Sequence, residues 1–125
     1  MTWNKVFIFM ADLVDTNVVR KSLKNLCVKR QLITYKDLVS ALGIQPPQSI
    51  QQLVRLLESC QEDDAALQQP QIVSVVVQKT GLNYPRSGYF QKLTELGLYS
   101  GPDEGLESQM WHQNELEKVF AFYGE

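Results

Sequence analysis

Apolar residues along this chain recur mostly at steps of three and four, the spacing of one helix face, and two stretches, 6–11 and 72–77, are continuous or nearly so. Residues 3–14 hold Trp3 and the run Val6-Phe7-Ile8-Phe9-Met10-Ala11, which fits a strand or a helix equally. From 16 to 30 the apolar stripe is Val19, Leu23, Leu26 and Cys27, with Asp15 or Thr16 placed as N-cap. Arg20, Lys21, Lys24 and Lys29 fall off that stripe, so one helix presents an apolar face and a basic face. After the short step Leu32-Ile33-Thr34, Thr34 and Asp37 form a capping-box-like start for a helix over 35–42. That helix buries Leu38, Val39 and Leu42 and stops at Gly43. Pro46-Pro47 forces a turn, and a third helix follows from about 47 to 60 with Ile50, Leu53, Val54, Leu57 and Cys60 as its stripe. Glu62-Asp63-Asp64 at its end reads as a solvated acidic surface, because consecutive helix residues point in different directions and no glycine-turn ligand loop is present.

The β-branched run Ile72-Val73-Ser74-Val75-Val76-Val77 is the expected strand. Residues 79–88 are rich in turn formers and predict a hairpin-like excursion. A short helix over 89–96 carries Phe90, Leu93 and Leu96 and ends at Gly97. A last helix over 106–123 is expected to bury Met110, Trp111, Leu116, Val119, Phe120 and Tyr123. Two helices joined by a tight turn, then a strand and a glycine-containing loop, is the element order of a helix-turn-helix with a wing. The expected fold is α+β: a helix-rich, winged-helix-like single domain over 1–125 with a short sheet, its core at about 32–97.

Composition narrows this little. A chain of 125 residues with 44% hydrophobic and 21% charged residues suits one globular domain without a disulfide or metal staple. Cys27 and Cys60 lie on helical apolar stripes and read as buried free thiols, which points to a reducing, cytoplasmic setting. Lys5 precedes an apolar run that Asp12 interrupts, too short for a signal core or a membrane span, so no membrane partner is expected. Charge changes the picture more. Residues 1–36 carry seven basic side chains against two acidic ones, a net of +5, while residues 37–125 carry five against twelve, a net of −7.

No catalytic constellation emerges. His112 is the only histidine, so a triad has no spare base, and a surface or capping role is expected for it. His112 and Glu115 are three apart, but two ligands do not make a metal site. Cys27 on an apolar stripe is a poor thiolate to pair with His112. Gly101 and Gly105 form no phosphate loop, so no cofactor or metal is expected. The candidate binding surface comprises Tyr35, Gln48, Ser49, Gln52 and Arg55 from the turn and the third helix, with Lys79 and Arg86 on the wing. Tyr84, Tyr89, Phe90, Tyr99 and Trp111 are alternative anchors for a protein partner.

Thr34-Tyr35-x-x-Leu38 and Ala41-Leu42-Gly43, then a polar third helix, a valine-rich strand, Gly81 and Gly88-Tyr89, together resemble the C-terminal DNA-binding domain of the alkylguanine-DNA alkyltransferases and alkyltransferase-like proteins over residues 32–97. The family's helix reads TYGELA…LG, and its PCHR motif holds the nucleophilic cysteine. Aligning Gly81 with the family's wing glycine puts that cysteine position at Val73, followed by Ser74 and Val75, so alkyl transfer is excluded. Gln48 or Ser49 stands near the family's helix arginine, which fills the gap left by a flipped base.

The sequence therefore points to a non-enzymatic binding protein. A protein partner is favoured, in an adaptor, inhibitor or immunity-type role such as bacterial defence or phage systems use, because the pI is near 5.4 and the run 62–64 would repel phosphate. The alternatives are a nucleic-acid-binding winged-helix protein, an enzyme with a carboxylate site, and self-association as a homodimer.

Overall fold

The computed structural model describes residues 14–79 and 83–124. The apolar segment before Val14, and Gly81 in the expected wing, lie outside the described residues. The rest is helix-rich α+β, with a short two-stranded sheet.

The first helices begin and end where local groups satisfy their exposed backbone. Helix α1 (Thr16–Val28) starts at Asp15, whose Oδ1 accepts from the Val18 N–H at 2.9 Å. Strand β1 (Ile33–Thr34) runs directly into helix α2 (Tyr35–Leu42), and Thr34 Oγ1 accepts from the Asp37 N–H at 3.1 Å. Gly43 ends α2 at φ 69°, a left-handed conformation that costs glycine little. Helix α3 (Ser49–Ala66) runs six residues past the expected end at Cys60. Its buried stripe continues through Gln61 and Asp64, which hide their polar groups against other elements.

The expected strand over 72–77 is corrected. Ile72–Val75 forms a 3₁₀ helix, and only β2 (Val76–Val77) is extended. Two buried carboxylates take the place of a neighbouring strand. Glu115 Oε2 accepts from the Gln71 N–H at 2.7 Å, and Asp64 Oδ2 accepts from the Ile72 N–H at 3.0 Å. The β-branched run is buried as expected, but Ile72–Val75 packs against three helices, and side chains, 3₁₀ turns and the β1 pairing share the run's backbone bonds. β2 pairs in parallel with β1, Ile33 opposite Val76 and Thr34 opposite Val77, so α2 and α3 form the crossover between the strands. Beyond β2, the Gln78 N–H donates to the Tyr84 carbonyl at 2.8 Å and closes the excursion expected there.

Helices α4 (Ser87–Glu95) and α5 (Leu106–Tyr123) complete the described fold. The core gathers Leu23 of α1, Leu38 of α2, Leu53 of α3, Ile72 of the 3₁₀ helix and Phe90 and Leu93 of α4, each fully buried. Met110, expected inside, is 57% exposed, because α5 turns Ser108, His112 and Glu115 inward instead.

Candidate binding recess

Tyr35 and Arg86 are 51 residues apart in sequence and adjacent in space. Tyr35 is the first residue of α2 and only 7% exposed, so it does not project from the turn as expected. Its hydroxyl accepts from the Arg86 N–H at 3.1 Å, and the Arg86 guanidinium lies over its ring at 5.6 Å. Burial raises the Tyr35 phenol above its ordinary pKa of 10.0, and the bond from the Arg86 backbone opposes that shift.

Beside this pair lies a recess of about 100 Å³. One wall is α3, with Val54, Leu57, Glu58 and Gln61; the floor includes Val73 of the 3₁₀ helix; the opposite wall is Arg86 to Tyr89 at the start of α4. The buried Gln61 amide spans the gap, donating from Nε2 to the Tyr89 carbonyl at 3.2 Å. Arg86 is the N-cap of α4, and its exposed guanidinium, which lies over the Tyr35 ring, remains open to solvent on its other side. The recess combines aliphatic walls, a half-buried carboxylate at Glu58 and a cation at Arg86. It can seat one apolar or planar group that also offers hydrogen-bonding edges.

The other candidate residues divide. Gln48, Arg55 and Lys79 are exposed, and Ser49 is half-buried at the first position of α3. Gln52 is not available to a partner as drawn from sequence: its Nε2 donates to the carbonyls of Gln45 at 2.9 Å and Pro47 at 2.8 Å, holding the turn before α3. The proposed aromatic anchors are also corrected. Tyr84, Tyr89, Phe90 and Tyr99 are core residues, packed ring against ring, and Trp111 is half-buried against Tyr89 and Tyr99. Their hydroxyls are spent internally: Tyr84 on Ser108 and the Asp103 carbonyl, Tyr89 on Ser74, Tyr99 on the Pro102 carbonyl.

His112 is another correction. It is 3% exposed, and its Nε2 lies 2.7 Å from the Ser74 carbonyl. A carbonyl only accepts, so Nε2 carries a proton, and burial disfavours a second one on the ring. Burial lowers its pKa below the ordinary 6.5. The histidine thus holds the backbone of Ser74 and does not activate the Ser74 hydroxyl, which bonds Tyr89. Cys27 and Cys60 are buried free thiols, both pushed up to about 11 by burial, and so remain protonated.

The run 62–64 is a solvated acidic surface only in part: Glu62 and Asp63 are exposed, and Asp64 is not. Glu62 Oε2 meets Lys92 Nζ at 2.6 Å, and Asp64 is fully buried with its Oδ1 2.9 Å from Arg20 Nη1. Arg20 therefore leaves the basic face assigned to it. Among the described residues only Asp63 of the three acids has no ion-pair partner.

Among the described residues no group of three or more His, Cys, Asp or Glu could hold a metal ion, and no helix is long and apolar enough to cross a membrane. Comparison with protein-family models, curated proteins and solved structures finds no match.

Proposed function

We propose that this protein is a non-enzymatic nucleic-acid-binding module. Its working surface is the α2–α3 pair together with the segment 79–89, a winged-helix-like arrangement, and one group of the nucleic acid sits in the recess. The observation that carries this reading is convergence. Tyr35 and Gly88-Tyr89, which resemble the alkyltransferase DNA-binding domain, and Val73, aligned with that family's cysteine, come from three places in the chain and line one recess. Val73 stands at the position of that family's nucleophile, so the recess can bind but has no alkyl acceptor.

Electrostatics gives independent support. The acidic run at the end of α3, which in the sequence argued for a protein partner, is largely neutralised by Lys92 and Arg20. Arg55, Lys79 and Arg86 are exposed and can meet a phosphate backbone. A protein partner is the second reading. The half-buried Glu58 at the recess favours it, since a carboxylate there opposes phosphate and accepts from a peptide or side-chain N–H.

Titration against labelled duplex and single-stranded DNA at low and moderate salt tests the proposal. Binding should weaken as salt rises, and Arg55→Ala and Arg86→Ala should each reduce the salt slope by about one. Gly88→Leu should weaken binding without unfolding, because a Cβ at Gly88 meets no atom within 4 Å and the new side chain would occupy the recess. Absence of binding even at low salt would sink the nucleic-acid reading and leave the protein partner.

A further inference from the structure

A second depression lies away from the recess. It is a groove of about 500 Å³ between α1, the C-terminal end of α3 and the C-terminal end of α5. Two large apolar side chains stand open there: Leu67, 65% exposed, and Phe122, 52% exposed. The walls differ in sign. The α1 wall presents Lys24, with Lys21 one turn earlier also exposed; the α3 wall presents Asp63, the acid without an ion-pair partner among the described residues.

We propose that this groove is the interface of a two-fold homodimer. A two-fold axis sets each patch against its own copy, so the patch must be self-complementary. This one is. It carries an open ring, Phe122, beside the exposed apolar Ala66 and Leu67, against which the ring of a second copy can pack. It also carries a basic wall and an acidic wall, and the axis brings Lys24 of each copy against Asp63 of the other. A nucleic acid would meet repulsion at Asp63, and a purely apolar ligand would strand Lys24 and Asp63 without partners. The interface is independent of the recess, so its failure would not touch the nucleic-acid reading.

Sedimentation velocity of the full chain from about 1 to about 200 µM decides the matter, since that span covers weak to moderate dimer affinities. A reversible monomer–dimer equilibrium is expected. Phe122→Glu should weaken the dimer by about 30-fold or more, the effect of losing a central aromatic contact. Lys24→Asp and Asp63→Lys should each weaken self-association, and an equimolar mixture of the two should restore it, because every charge pair in the mixed dimer is again opposite. Restoration on mixing also shows that both variants are folded. A wild-type chain that stays monomeric throughout, a dimer indifferent to Phe122→Glu, or a mixture that remains monomeric would each overturn the proposal.

Discussion

His112 sits where α5, the 3₁₀ helix and the rings of Tyr84 and Tyr89 meet, and its only polar partner among the described residues is the Ser74 carbonyl. Its folded-state pKa is lowered by burial, so the unfolded chain takes up the proton first. The stability contributed by the neutral ring is present above about 6.5 and is lost as pH falls below it. Urea midpoints measured at steps from pH 7.5 to 5 should therefore decline toward acid. His112→Gln, which keeps an N–H donor and cannot charge, should flatten that decline; an equal decline in both proteins would refute the assignment. The polar neighbours Gln109, Gln113 and Asn114 give no sign that His112 is buried. The signal that was available is the spacing to Ser108, Glu115, Leu116 and Val119, which puts His112 on the inward face of α5.

At the scale of single elements, caps were legible and continuations were not. The start of α2 at Tyr35 and its end at Gly43 follow from Thr34, Asp37 and a glycine that tolerates φ 69°. Thr34→Ala should remove the bond to the Asp37 N–H and cost about 1 kcal/mol, read as a lower denaturant midpoint at unchanged slope. A cost near zero would mean that packing, and not the cap, positions Tyr35 for the recess. The start of α3 has no such signature. Its N-cap is Gln48 at φ 57° without a side-chain capping bond, and the turn is held instead by the Gln52 amide. The end of α3 was hidden for a different reason: Gln61 and Asp64 look like surface residues until their partners on distant elements are known. The 72–77 run was misread in shape because β-branched residues report burial, and burial is satisfied equally by a sheet or by a cage of helices.

For the whole molecule, Arg20 and Asp64 act as a junction. The Arg20 guanidinium reaches Asp64 at 2.9 Å, the Cys60 carbonyl at 3.2 Å and the Tyr123 hydroxyl at 3.4 Å, and Asp64 also holds the Ile72 N–H. One ion pair thus ties α1, α3, α5 and the 3₁₀ helix that floors the recess. Burial raises the Asp64 pKa above its ordinary 3.8, with the Ile72 bond and Arg20 opposing. Asp64→Ala leaves a largely buried cation without its counter-ion and a buried N–H without a partner, and should cost about 3–5 kcal/mol. Asp63→Ala, one residue away and exposed, should change stability by less than about 0.5 kcal/mol. Similar costs for the two would dismiss the junction.

Local sequence settles what a few neighbouring residues can decide. Legible there are the helical periodicity, the first N-cap to within Asp15 or Thr16, the N-cap Thr34, the stop at Gly43, the boundaries of α5 and the burial of both thiols, because each depends on bonds within about four residues or on the spacing of one face. Long-range proximity has no such local trace. That Arg86 lies over Tyr35, that Val73 floors a recess, that Lys92 cancels Glu62 and Arg20 cancels Asp64, and that Phe122 stands beside Leu67 are facts of folding. They follow from how the helices pack around Ile72–Val75, and a buried charge or an open ring is recognisable only once its surroundings are in place.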